Sequence, residues 1–255
     1  MLLRHITKHI KNQNWFAVGL DFFIMVIGVF IGIQVANWND SLTKIKRENT
    51  YLRENTYLRA VAADIHNDVL ETDEITVVAT SRVSALSLLI DKASNWQVPN
   101  GFASSRGQIN VEQVTTFDQS SEYSIGIELF ILSTLDDNRF AYETTINADG
   151  IGVIRNKILV GKIQEYYAQV DEIINFETSL EENRTRLIDA QQEVDILAID
   201  LLSITEMAEQ FSVNQPLHAA AKNYWLYANR HITLMSELHK EAENLIVMID
   251  KELKQ

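Results

Sequence analysis

No cysteine occurs in the 255 residues, which excludes disulfides, thiolate metal sites and a cysteine nucleophile and leaves the redox compartment open. Nine glycines and two prolines are far below ordinary usage, so turns are scarce and long uninterrupted helices are expected. A Gly-rich phosphate loop, a GxSxG elbow, an HExxH pair and the Glu-x-x-His repeats of di-iron bundles are also missing. The familiar signatures of nucleotide binding, ester hydrolysis and helix-borne metal catalysis are therefore absent, and no cofactor is expected.

Basic charge is short as well. Against 35 Asp and Glu stand 22 Lys and Arg, a net charge of -13, and the imbalance is uneven. Residues 1–59 carry eight basic and four acidic side chains, whereas residues 60–255 carry fourteen and thirty-one. A body that acidic repels a phosphate backbone, which argues against nucleic acid as a partner. What the chain has in quantity is apolar residues, 46% of the total, enough for the core of one large domain or two small ones.

The apolar residues are concentrated from Trp15 to Ala36, WFAVGLDFFIMVIGVFIGIQVA, where only Asp21 and Gln34 are polar. At about 1.5 Å per residue such a helix covers roughly 33 Å, enough for a bilayer core of about 30 Å. A single transmembrane helix is expected, with Trp15 and Trp38 as interfacial anchors and the lipid bilayer as first partner. The run exceeds the apolar core of a secretion signal, and no small-x-small site precedes Asn37, so the span is expected to stay uncleaved.

Asp21, Gly28 and Gly32 fall on one face of that helix, because seven and eleven residues at about 100° each return within about 20° of the start. Small residues let two backbones approach, and an acid in lipid requires a protein or water neighbour. These three residues form the candidate surface for association in the membrane, either in a homo-oligomer or with another membrane protein. The bland account is that glycine is common in such helices and that Asp21 reaches the headgroups. Arg4, Lys8 and Lys11 before the span nearly balance Lys44, Lys46, Arg47 and Arg53 after it. Because a long domain after a first span is often exported, the expectation is an amino terminus inside and a body outside.

Beyond the span, Trp38, Leu42, Ile45, Asn49 and Leu52 step by four and three, and a second stripe runs Leu58, Ala62, Ile65, Val69, Thr72, Thr76, Ala79, Val83, Leu86, Ile90. The stripes are out of step by one residue, and between them RENTYL is written twice, at Arg47–Leu52 and Arg53–Leu58. Removing one copy moves Leu58 into the place of Leu52 and joins the stripes. The extra copy therefore adds about 9 Å and a turn of about 240° to one long helix. A stalk tolerates such an insertion where a catalytic constellation does not; the alternative is a duplication that impairs this copy.

The expected organisation follows: a short amphipathic segment at 1–14, a transmembrane helix at 15–37, a stalk helix at 38–95, an irregular connector at 96–123 and a helical-bundle body at 124–255. Within the body, short helices are expected at 111–117, 124–134 and 137–148, capping the far end. Asn156 should cap a long helix from Lys157 to about Phe211, with an apolar face of Ile158, Ile163, Tyr166, Val170, Ile173 and Ile174, and Asn214 with Pro216 should start a last helix ending near Leu253. The fold class is mainly α, an anchor helix continuing into a stalk packed with long antiparallel helices.

The stretch DFFIMVIGVFIGIQVANWND, with its acid, glycine-spaced apolar run and closing Gln-x-x-Asn-Trp-Asn, resembles an uncharacterised bacterial family of membrane-anchored helical proteins. A second stretch, YETTINADGIGVIRNKILVGKIQEYY, is similar to that family's other recurring block. Together they cover about a fifth of the chain, and the doubled RENTYL departs from the family pattern. The resemblance implies a single-pass envelope protein of bacteria; joined with the orientation expected above, it gives the bacterial inner membrane as the location, with the body in the periplasm. It brings no activity and no functional residues.

Candidate chemistry is thin. His5 and His9 are spaced for metal chelation but lack a carboxylate, so interfacial imidazoles on a membrane-surface helix account for them better. Asp64, Asp68 and Glu71 share a helix face that excludes His66, the pattern of a solvated face rather than a metal site. His218, His231 and His239 lie in the last helix with Glu237 and Glu243, and Tyr166, Tyr167, Tyr224, Trp225 and Tyr227 fit a core better than a pocket. The leading expectation is a non-enzymatic, self-associating interaction module. An accessory subunit of a transport or ion-coupled complex using Asp21 is the alternative, and a small-ligand sensor or metal-dependent enzyme comes third.

Overall fold

The computed structural model describes residues 15–97, 101–104, 107–110, 125–136, 138–147, 150–197, 200 and 202–254, with backbone alone at 15–18, 101–104, 107–110, 147 and 150. The fold is mainly α. Helix α1 spans Trp15–Ser94 without interruption, through both RENTYL copies. It is followed by strands β1 (Gly101–Ser104) and β2 (Gly107–Asn110), paired antiparallel with Phe102 opposite Ile109. Among the described residues five more α-helices and a short turn of 3-10 helix at Gly150–Gly152 follow: α2 (Ile125–Phe130), α3 (Phe140–Asn147), α4 (Lys157–Gln192), α5 (Ile204–Val213) and α6 (Gln215–Glu252). The hairpin replaces part of the irregular connector expected at 96–123. The helix expected at 111–117 lies outside the described residues.

The chain forms two compact units, Met1–Glu54 and Asn55–Gln255. The expected stalk at 38–95 is therefore divided, and its distal part is core rather than stalk. In the first unit α1 is exposed from Gly19 to Arg53 and buried at Glu54, and it is the described helix long and apolar enough to cross a membrane.

The second unit is built on α1 from Asn55 onward, α4 and α6. Each presents a stripe at alternating spacings of three and four: Leu58, Val61, Ile65, Asp68, Thr72, Ile75, Ala79, Arg82, Leu86 and Leu89 on α1; Leu159 through Leu187 on α4; Leu217 through Ile249 on α6. That period packs helices side by side at a shallow angle with knobs in holes. One apolar cluster joins Leu58, Ile65, Leu159, Ile163 and Leu245, and the other joins Leu86, Ile90, Leu187, Phe211 and Trp225. The starts of distal α1 and α4 thus lie together with the end of α6, so α4 is parallel to α1 and α6 antiparallel to both. Helix α2 closes the distal cluster through Leu129, as expected of a short cap, and α5, expected as the end of the long helix, joins it through Met207 and Phe211. Helix α3 does not; its Tyr142 packs on the cluster at the other end.

Two expectations about α4 need correction. The helix ends at Gln192, not near Phe211. Asp195 adopts a left-handed backbone with φ 59, and Ile196 N–H donates to Gln191 O at 2.9 Å while Asp195 N–H donates to Gln192 O at 3.0 Å, a Schellman closure sealed by buried Ile196. A new start follows at Ser203, whose hydroxyl accepts from Glu206 N–H while the Glu206 carboxylate accepts from Ser203 N–H, a capping box. At the other end Ile158 is 75% exposed and Leu159, at 1%, takes its place. The N-cap sets that phase: Asn156 Oδ1 accepts from Leu159 N–H at 3.1 Å, and Asn156 Nδ2 donates to Glu252 of α6 at 2.7 Å. Truncating the two neighbours separates them: Leu159→Ala should cost about 2–4 kcal/mol and Ile158→Ala within about 0.5 kcal/mol, read by denaturant unfolding of the full chain in detergent.

Candidate functional site

Between α2 and α3 the chain runs without helix over residues 131–136 and 138–139, a strap bonded to side chains of both α1 and α4. An irregular backbone there leaves N–H groups that neither helix ladder satisfies, so side chains must take them. Arg184, held by Glu181, donates from Nη1 to Phe130 O at 2.6 Å. Leu135 N–H donates to both carboxylate oxygens of Glu177, at 2.9 and 3.1 Å. Asp136 N–H donates to Glu71 Oε1 at 2.6 Å, and Ala141 N–H donates to Asp64 Oδ2 at 2.8 Å. Arg139 closes the series on Asp171 at 2.6 Å. The strap is stitched to α1 on one side and to α4 on the other.

This overturns the reading of Asp64, Asp68 and Glu71 as a solvated face. Glu71 is a half-buried acceptor for the strap, Asp64 a half-buried acceptor for the first turn of α3, and Asp68 is buried, accepting from Tyr166 O–H at 2.7 Å. His66 stays exposed and off this face. Burial pushes the phenols of Tyr166 and Tyr167 up, and the Asp68 and Asp64 carboxylates add to it. Tyr167 stacks on Tyr142 of α3 with ring centroids 3.9 Å apart and meets Tyr166 edge-on at 5.3 Å. These aromatics are core, as are Tyr224 and Trp225, whose Nε1 donates to Ser87 Oγ at 2.8 Å. Tyr227 is half-buried and stacks on Phe176.

The histidines of α6 divide. His231 is fully buried, and its Nε2 lies 2.8 Å from Glu177 Oε1; the carboxylate accepts, so Nε2 carries the proton. His239 is partly exposed beside Thr72 at 3.1 Å and Asp73 at 3.3 Å, with Glu243 at 3.8 Å. Burial and then Lys222 push the His218 imidazole down. Glu237 pairs with Arg230 at 3.6 Å. Among the described residues no group of three or more His, Asp or Glu is arranged to hold a metal ion. His5 and His9 lie outside the described residues, as does the side chain of Trp15. Asp21 and Trp38 are exposed, and a Cβ at Gly28 or Gly32 would meet nothing within 4 Å.

A cleft of about 600 Å³ flanks the strap on the α1 side, lined among others by Asn67, Leu70, Glu71, Glu74, Leu132 and Asp136. A second, of about 620 Å³, flanks it on the α4 side around Ile174, Glu177, Thr178 and Arg186. In the first, desolvation pushes Glu71 up to about 7, offset by the hydrogen bond from Asp136 N–H and reinforced by the charges of Asp136, Asp68 and Glu177. A carboxyl that titrates near neutrality in a cleft is a candidate acid or base, but its geometry is that of a clamp on the strap. Glu177, Arg184 and Arg82 are polar residues that the sequence reading passed over. Glu177 and Arg82 stand in phase with the apolar stripes of their helices, the signal that marks them as buried. No family model, curated protein or solved structure matches the chain.

Two outcomes test the strap. Glu177→Ala leaves the Leu135 N–H and His231 Nε2 buried without an acceptor and should cost roughly 2–5 kcal/mol, with Glu177→Gln milder, measured by thermal unfolding of the full chain in detergent. For Glu71, a folded-state pKa raised from 4.5 to about 7 means that the proton is held more tightly folded than unfolded. Its contribution to stability is therefore complete below about pH 4.5 and is lost as pH rises through about 7. Glu71→Gln keeps the acceptor for Asp136 N–H and removes the titration, so the variant's unfolding temperature should exceed the parent's at pH 8 and depend less on pH.

Proposed function

We propose that the chain is a non-enzymatic, single-pass membrane protein of the bacterial inner membrane, with its body in the periplasm, that associates with copies of itself through the span. The observation that carries this reading is the contrast along α1. From Leu20 to Val35 it exposes Phe22, Phe23, Ile24, Met25, Phe30 and Ile33 on every side, whereas beyond Leu58 it buries its apolar stripe. A surface that apolar all round is matched by lipid. Within lipid, the face of Asp21, Gly28 and Gly32 is the one that calls for another helix, and the space around both glycines leaves room for a second backbone. The resemblance of the anchor and of the Tyr142–Tyr167 block to a membrane-anchored helical family supports the same placement.

The interaction role rests on how the polar groups are used. Asp64, Asp68, Glu71, Glu177 and His231 each hold a backbone N–H or another side chain, so the groups best suited to acid–base work are engaged in shaping the surface around the strap. Extraction of the full chain in a mild detergent and native mass measurement tests the reading. A homogeneous multiple of 29.1 kDa that falls to the monomer in a Gly28→Ile, Gly32→Ile double variant is expected. A stoichiometric second protein, lost in Asp21→Asn, would instead favour an accessory subunit of a transport or ion-coupled complex.

A further inference from the structure

Past Ala36, α1 continues as an exposed helix whose large apolar side chains, Tyr51 apart, keep to one stripe. Between Trp38 and Leu52 that stripe is Trp38, Leu42, Ile45 and Leu52, with Asn49 in phase. The other positions through Thr50 are Asn39, Asp40, Ser41, Thr43, Lys44, Lys46, Arg47, Glu48 and Thr50, all polar. Ser41, Thr43 and Thr50 turn their hydroxyls back to the carbonyls four residues earlier, at 2.9 Å each. An amphipathic helix of this kind is stable in water when its stripe is covered.

Followed back toward the amino terminus, the same alternation of three and four passes through Val35, Ile31, Gly28, Ile24 and Asp21. One seam of ten positions, spaced by a strict average of 3.5 residues, therefore crosses from the span into the segment beyond it. A sustained 3.5-residue period winds helices into a left-handed supercoil. Trp38 to Leu52 alone holds two heptads, too few for a stable coiled coil, but Asp21 to Leu52 extends for about 47 Å.

We propose that residues 21–52 pair with the same residues of a second copy in a parallel, in-register, two-stranded coiled coil that runs unbroken from the bilayer into water. This rests on the self-association reading above and gives it a geometry. Single-pass anchors of one sequence insert in one direction and to one depth, so two copies meet parallel and in register. Asp21, Gly28, Val35, Leu42 and Asn49 occupy the first core position of successive heptads, and Ile24, Ile31, Trp38, Ile45 and Leu52 the fourth. Leu42 at the first position and Ile45 at the fourth favour more than two strands by shape, and Asn49 is the residue that selects two, because its paired amides satisfy each other across a two-stranded seam. Glu48 stands five residues before Arg53, the spacing at which one helix's flanking acid reaches the partner's flanking base. Gly28 lets the backbones close within the span. In the same phase the next positions are Thr56 and Arg59, so the seam ends inside the second RENTYL copy.

Because the chain has no cysteine, single-cysteine variants at each position from Trp38 to Leu52 report on the seam directly. Full-length protein in native membranes is oxidised, and disulfide-linked species of twice 29.1 kDa are read on denaturing gels. Strong cross-linking is expected for Leu42→Cys, Ile45→Cys and Asn49→Cys, and weak cross-linking for Lys44→Cys and Arg47→Cys on the outer face. Asn49→Leu should keep assembly but add species above the dimer in native mass. A flat profile, or one peaking at Lys44 and Arg47, overturns the coiled coil. If the parent still assembles in detergent while the profile is flat, association through the span stands and the seam beyond it falls; a monomeric parent with a flat profile removes both.

Discussion

The fold depends on one buried carboxylate. Glu177, on α4, is 5% exposed and accepts from Leu135 N–H of the strap and from the fully buried His231 of α6. Taking a carboxylate out of water is expensive, and the cost is met only when its oxygens are hydrogen-bonded on the spot. Glu177 meets that condition in a single arrangement, with α6 at one depth against α4 and the strap bonded to the same carboxylate. An apolar residue at this position would pack equally well at several depths, so here the polar requirement does what apolar packing does not.

The same device recurs for each pair of long helices. Asp68 of α1 meets Tyr166 of α4, Arg82 of α1 meets Tyr224 of α6 at 3.1 Å, and Glu177 of α4 meets His231 of α6. Three helices with three-four stripes can slide by a heptad and re-form most apolar contacts. A polar pair forbids the slide, because each slipped register leaves two buried groups without partners. The Arg82 pair is the least complete: its Nε and Nη2 have no hydrogen-bond partner, and its guanidinium stands 5.9 Å from the Tyr224 ring centroid. The cation is held by the ring and one hydroxyl, the weakest of the three bolts.

Much of this was legible in the residues. Asn156 as a cap, Asn214 with Pro216 at a helix start, and the length of α6 all rest on local chemistry that tertiary structure had no reason to override. The end of α4 was missed because its stop is an aspartate, not a glycine, in the left-handed region at Asp195, although Ser203 followed three residues later by Glu206 spelled out the restart. The solvated reading of Asp64, Asp68 and Glu71 failed for a different reason. Three acids on one helix face look the same in sequence whether water or backbone N–H groups satisfy them, and the segment that supplies those donors lies about seventy residues away. Polar residues in phase with an apolar stripe are the signal to trust: Asp68, Arg82, Glu177 and His231 all occupy core positions of otherwise apolar stripes.

The doubled RENTYL becomes intelligible once each unit is considered by itself. The boundary between the compact units falls at Glu54 and Asn55, inside the second copy. On the body side the apolar stripe of α1 starts at Leu58, the last residue of that copy, and Asp68 and Arg82, which bond Tyr166 and Tyr224, lie beyond it. On the other side the exposed stripe ends at Leu52, the last residue of the first copy. Six residues added between the two stripes leave the spacing within each stripe unchanged, and the helix needs only residues of ordinary helical propensity to bridge them. Asn55 and Thr56 are the weakest of these, and continuity with long helices on both sides carries them. The same six residues inserted after Leu58 would displace Asp68 from Tyr166 and Arg82 from Tyr224, and the acids that hold the strap would leave it together. The bundle therefore restricts a duplication of this size to the stretch of α1 where it is found.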